Sequence, residues 1–74
     1  MMIFTQGRES IVKAGKEIYV LKIQDTYHIM NKYSSDEVID LGEYSTPGVA
    51  SKVLKDIFQF IRSKKETYCM PDKF

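Results

Sequence analysis

From Thr46 to Ser63 the chain sorts its apolar and polar residues onto two separate arcs of a helical wheel. At about 100° per residue from Val49, the positions Val49, Ala50, Val53, Leu54, Ile57, Phe58, Phe60 and Ile61 fall between about 0° and 180°. Ser51, Lys52, Lys55, Asp56, Gln59, Arg62 and Ser63 fall between about 200° and 340° on the same wheel. Thr46 offers an N-cap hydroxyl and Pro47 a first helical residue whose missing N–H costs nothing. Lys64 would re-enter the apolar arc, so the helix is expected to end near Ser63. An arc of about 180° exceeds the roughly 100° stripe that docks a helix on one sheet. The surplus is expected either to be wrapped by a curled sheet or to meet another subunit, with Val49, Phe58, Phe60 and Ile61 as candidate interface residues.

The first 44 residues carry short runs rich in Ile, Val, Tyr and Phe, broken by polar turns, and predict an antiparallel meander. Strands are expected over 2–5, 10–13, 17–23, 27–33 and 38–44, with one more over 67–70 closed by Pro71 and added at a sheet edge. Residues 71–74 are expected to fray. Along 17–23, Tyr19, Leu21 and Ile23 share one face, and Ile18 and Val20 the other. A strand apolar on both faces predicts a central strand covered on both sides. One helix covers one side, so the second cover is expected from another protomer. The fold class is therefore α+β: a single domain over 1–74, with an antiparallel meander of four to six short strands packed on one amphipathic helix and a short C-terminal strand.

At 74 residues there is room for one thin core, and the ordering cost of about 1.5 kcal/mol per residue calls for an extra source of stability. One Cys and one His supply neither an internal disulfide nor a structural zinc site, so a homo-oligomer is expected. With 11 Lys+Arg against 10 Asp+Glu the net charge is +1, which argues against nucleic acid as a partner. The charge is nonetheless uneven. Asp36, Glu37, Asp40 and Glu43 cluster before the helix, while Lys52, Lys55, Arg62, Lys64 and Lys65 face only Asp56 along it. No secretory signal and no run of apolar residues long enough to span a membrane is present, so a cytoplasmic protein with no membrane partner is expected.

The layout of Leu41-Gly42-Glu43-Tyr44-Ser45-Thr46, followed by Ala50, Val53-Leu54, Ile57 and Tyr68-Cys69-Met70-Pro71, resembles a group of short uncharacterised proteins of low-GC Gram-positive bacteria and their phages. Their pattern is a Leu-Gly-x-Tyr-x-Thr strand exit into a helix and a terminal strand ending Met-Pro. The resemblance implies five or so strands and one helix, and a phage or mobile-element setting, with no activity attached. At Lys13-Ala14-Gly15-Lys16 the chain departs from the Asn-Leu-Asp turn of that group.

Catalytic parts are sparse. Cys69 and His28 lie in no nucleophile motif, and the acidic pairs Asp36 with Glu37 and Asp40 with Glu43 lack the cleft that would separate two carboxyl environments. There is no Gly-rich phosphate loop and no zinc or calcium spacing, so no cofactor and no enzymatic activity are expected. Tyrosines can stack on planar groups, and basic residues beside glycines and a free helix N-terminus can hold an anion. Arg8, Lys13, Lys16, Tyr27, His28, Thr46 and Tyr68 are accordingly the candidate ligand-binding residues. The functional expectation is a non-catalytic phage-type binding protein that sequesters a small nucleotide-like anionic signal, as an anti-defence protein would, in pockets between subunits. The alternative is an inhibitor or adaptor of a host protein that uses the charged helix face or a sheet edge.

Overall fold

The structure, a computed structural model, describes residues 1–72. Strands β1 (Met2–Phe4) and β2 (Ile11–Lys13) flank a 3₁₀ turn at Gln6–Arg8. Then come β3 (Glu17–Ile23), β4 (Thr26–Ser34), β5 (Glu37–Tyr44), helix α1 (Pro47–Arg62) and β6 (Thr67–Cys69). The α+β class, the helix and the short terminal strand match the sequence expectation.

The strands form two three-stranded sheets rather than one. β3, β4 and β5 make an antiparallel meander with β4 in the centre. β1 lies at the centre of the other sheet, antiparallel to β2 and parallel to β6, with Ile3 opposite Tyr68. β3 is therefore an edge strand, which corrects its expected central place. Two tight connections, Gln24-Asp25 and Ser35-Asp36, fold β3 and β5 onto either side of β4 and leave β3 only one neighbour. The helix does cover one face of β3, where Ile18 and Val20 pack against the core. On the other face Leu21 and Ile23 are exposed.

Helix α1 packs against β3, β4, β5 and β6 and so joins the two sheets. Its start is fixed by the Thr46 hydroxyl, which accepts the Val49 N–H at 3.2 Å, and by Pro47 in the first turn. It ends at Ser63, whose N–H donates to the Gln59 carbonyl, and Lys64 then turns the chain away at φ 57°. Ala50, Val53 and Ile57 are buried against Ile3, Ile29, Leu41, Tyr44, Tyr68 and Met70. Complete burial of a Val53 or Ile57 side chain is worth about 1.5–3 kcal/mol. A bulge in β5 sets Gly42 opposite Ile29 and Asp40 opposite Met30, leaving Leu41 as the extra residue, turned into the core.

Buried Asn31 ties the two sheets together. Its Nδ2 donates to the Lys13 carbonyl at 3.0 Å and to the Tyr33 hydroxyl at 2.9 Å, and its Oδ1 accepts the Gly15 N–H at 2.7 Å. The approach is so close that a Cβ on Gly15 would sit 2.5 Å from the Lys32 carbonyl oxygen, which only glycine permits. The 3₁₀ turn clamps the other side. Gln6 Oε1 accepts the Glu43 N–H at 2.8 Å while its Nε2 donates to the Glu43 carbonyl at 3.0 Å. Pro71 and Asp72, expected to fray, are held: the Tyr44 hydroxyl donates to the Pro71 carbonyl at 2.7 Å, and Gly7 N–H to Asp72 Oδ1 at 3.1 Å. Residues 73–74 lie outside the described residues.

Candidate functional site

The helix wheel leaves one flank of α1 uncovered, and the surplus falls on the β3 side. Phe58 and Ile61 are 58% and 48% exposed. With Leu54 and Ile57 they face Gly15, Lys16 and Ile18 across an open groove of about 420 Å³. Lys55 lines it from the helix and Lys16 from the start of β3. Neither ammonium forms an ion pair among the described residues. The volume lies in the range of small-molecule sites, and an apolar wall with two cations at its border suits an anion that carries an apolar or flat body. The groove thus brings Lys16, a candidate ligand-binding residue, together with Phe58 and Ile61, which the sequence offered as interface residues. Leu54, Lys55 and Ile18 join them; the signal for the first two was present in the wheel, where Leu54, Phe58 and Ile61 form one i, i+4, i+7 line bordered by Lys55.

The remaining candidates stand elsewhere and are engaged in holding the fold. Arg8 Nη1 donates to the Met70 carbonyl at 2.8 Å and lies 3.9 Å from Asp72 Oδ1, pinning the segment after β6. Lys13 contributes its backbone carbonyl to Asn31 and to the Tyr33 hydroxyl. Thr46 caps the helix about 12–22 Å along the axis from Leu54 to Ile61, too far for its N–H groups to reach a ligand in the groove. Tyr27 is half-buried under the Lys22 ammonium, 5.8 Å from the ring centroid. Tyr68 is buried in the core, with Phe60 meeting its ring edge-on at 4.8 Å between centroids. Phe60 therefore spends much of its apolar surface within the subunit, and Val49 is half-buried against the core. Burial pushes the Tyr68 phenol up to about 12, with smaller contributions from Asp56 and Cys69. The Tyr44 phenol is raised further, first by burial and then by Tyr68 and Asp72, with Arg8 acting against them.

His28 belongs to a second cluster, on the face of the β3–β5 sheet away from the helix. Its Nδ1 is 2.6 Å from Asp40 Oδ2, and its Nε2 is 2.9 Å from Thr26 Oγ1 and 3.5 Å from Glu43 Oε1. Thr26, His28 and Asp40 are spaced as a nucleophile, base and orienting carboxylate would be. Thr26 Oγ1 also donates to the Ile23 carbonyl at 3.0 Å, which ties the β3–β4 turn. With both ring nitrogens engaged by oxygens, His28 is not paired to Cys69, which is exposed on β6 in the other sheet.

No protein-family model matches the chain, and no curated protein or solved structure is significantly similar to it. Among the described residues no group of three or more His, Cys, Asp or Glu side chains is placed to hold a metal ion. No helix among them is long and apolar enough to cross a membrane.

Proposed function

We propose that the chain is a non-catalytic binding protein that takes up a small anionic ligand with an apolar or flat body in the groove between α1 and β3. The observation that carries this reading is the pairing of an apolar wall, made by Ile18, Leu54, Phe58 and Ile61, with the ammonium groups of Lys16 and Lys55, which form no ion pair among the described residues. A nucleotide-like signal, stacked on Phe58 with its phosphate between the lysines, and an acyl chain ending in a carboxylate share this chemistry. Sequestering such a ligand, as a phage anti-defence protein would, requires no catalytic group.

Thermal unfolding in the presence of cyclic and linear nucleotides in one arm, and of medium-chain fatty acids in the other, tests the proposal and separates the two sources. A ligand at 100 times its dissociation constant adds about 2.7 kcal/mol of stability, which at 4–8 °C per kcal/mol is a shift of about 10–20 °C for a domain of this size. The shift should be lost in Lys55→Glu, with the unliganded melting temperature unchanged. The absence of any shift in both arms, or a shift indifferent to Lys55→Glu, overturns the reading.

A further inference from the structure

We infer that β3 is the site at which two copies of this chain join, edge to edge and antiparallel, into one six-stranded sheet. β3 is seven residues long, bonded on one side only among the described residues, and apolar on both faces over Ile18–Leu21, between Glu17 and Lys22. Such an edge is a ready template for another strand, and natural proteins blunt theirs with charge, brevity, bulges or a covering segment. The other three edges in this molecule are blunted. β2 and β6 have three residues each. β5 carries a bulge at Leu41, the Asp40 carboxylate on its Gly42 N–H at 3.0 Å, and the Gln6 amide on both backbone groups of Glu43. β3 has none of these devices over Ile18–Leu21.

The occupant is a second copy because the strand complements itself. A two-fold axis normal to the sheet through Val20 keeps matching faces together and sets all seven residues of one β3 against all seven of the other. Tyr19 then lies opposite the partner subunit's Leu21, an aromatic–aliphatic cross-strand pair, with Val20 opposite itself. Just beyond the strand, Lys16 comes level with the partner subunit's Gln24 and beside the partner subunit's Asp25, so opposite charges meet at both ends of the junction. The same axis places both helices on one face of the joined sheet and turns each groove, with its exposed Phe58 and Ile61, toward the other. Exposed Leu21 and Ile23 on one face of the sheet and Phe58 and Ile61 on the other then have a common explanation. Pairing requires no ligand and stands independently of what the groove holds.

Light scattering and native mass spectrometry of the ligand-free protein should show a species of about 17 kDa, twice the 8.6 kDa chain. For an interface at the small end of the usual range its dissociation constant should be of micromolar order. Leu21→Lys, at an exposed position, should raise that constant more than about tenfold while far-UV circular dichroism stays the same. Asp25→Lys should weaken the dimer, and the double swap Lys16→Glu with Asp25→Lys should restore it to within about threefold. A chain that stays monomeric up to hundreds of micromolar, on the scale of that affinity, overturns the inference. So does a dimer indifferent to Leu21→Lys, or a double swap no better than the single one. Because all of this is read without ligand, failure of the groove proposal leaves the result intact.

Discussion

The two edges of the β3–β5 sheet are built from strands of nearly equal length and are finished in opposite ways. At β5 the Gln6 side chain stands in for a neighbouring strand, giving Glu43 both a donor and an acceptor, while Asp40 covers the Gly42 N–H within the bulge. At β3 the backbone ends in solvent between two apolar surfaces. The difference shows what closing an edge requires: one side-chain amide from a distant turn and one bulge are enough. It follows that an edge left bare over Ile18–Leu21 is a position where the fold can accept another strand.

The largest effect is expected where the open edge is fixed to the rest of the fold. Asn31→Ala leaves the part-buried Gly15 N–H without its acceptor, at about 1–3 kcal/mol, and takes from the Lys13 carbonyl one of its two donors, the Tyr33 hydroxyl remaining, at about 1 kcal/mol. Urea unfolding should show a total loss of about 3 kcal/mol; a loss below about 1 kcal/mol would mean that water replaces the amide and that β3 is held some other way.

Removing the closure of β5 comes next. Gln6→Ala should cost about 1–2 kcal/mol and should also give light-scattering species larger than a dimer, because both sheet edges are then bare. If the variant loses stability and assembles no further, the amide supports the fold but does not guard the edge.

Alkaline pH probes the same closed side through Tyr44, whose hydroxyl holds the Pro71 carbonyl, and through its neighbour Tyr68. An unfolded phenol ionises near 10, whereas Tyr68 does so at about 12 and Tyr44 above that. Between these values the unfolded chain releases its protons first, so this stability is fully present below pH 10 and falls as pH rises toward 12. Urea midpoints measured at pH 9, 10 and 11 should decline over the last step, and Tyr44→Phe with Tyr68→Phe should flatten the decline. An equal decline in the double variant would place its origin elsewhere.

The smallest effect concerns the hairpin that presents β3. Gln24 turns there at φ 54°, a left-handed conformation that costs a non-glycine residue about 1–2 kcal/mol. Gln24→Gly relieves this but adds chain entropy to the unfolded state, for a net gain of up to about 1 kcal/mol, or about 4–8 °C in Tm. A fall in Tm instead would show that the Gln24 side chain earns its place through contacts of its own.

Much of the fold was legible because its cues are local. Thr46-Pro47 starts the helix, the re-entry of Lys64 into the apolar arc ends it, and 17–23 coincides with β3. What was misjudged depended on pairing. A strand apolar on both faces can be a buried centre or an open edge, and composition does not separate the two. The two tight turns around β4 do, since the middle strand of three joined by hairpins is the central one. β4 was the less obvious centre because it carries His28 and Asn31, whose polarity is met by oxygens and amides from segments 12–18 residues away. The parallel pairing of β1 with β6 has no local cue. At the groove, Lys16 was a ligand candidate by its charge, whereas helical spacing marked Phe58 and Ile61 as surplus apolar surface for another subunit rather than as a groove wall. Arg8, Thr46 and Tyr68 could not be told apart from ligand-binding residues, because the same groups that hold an anion or a ring also hold a backbone carbonyl, a helix end or a neighbouring phenylalanine.

The pairing of Ile3 with Tyr68 also sets an order of events in folding. The β3–β5 meander and the helix that follows it are made of contacts close in sequence, whereas β1 gains its second neighbour only when residues 67–69 come back to it. Closing so long a loop is slow compared with zipping hairpins, so β6 is expected to join β1 last, after the meander and the local β1–β2 pairing. During that interval β1 carries Ile3 beside an unfilled edge, and a second chain's β6 could take the place that belongs to the chain's own. Refolding at high concentration should therefore be the condition under which this protein exchanges its terminal strand between copies.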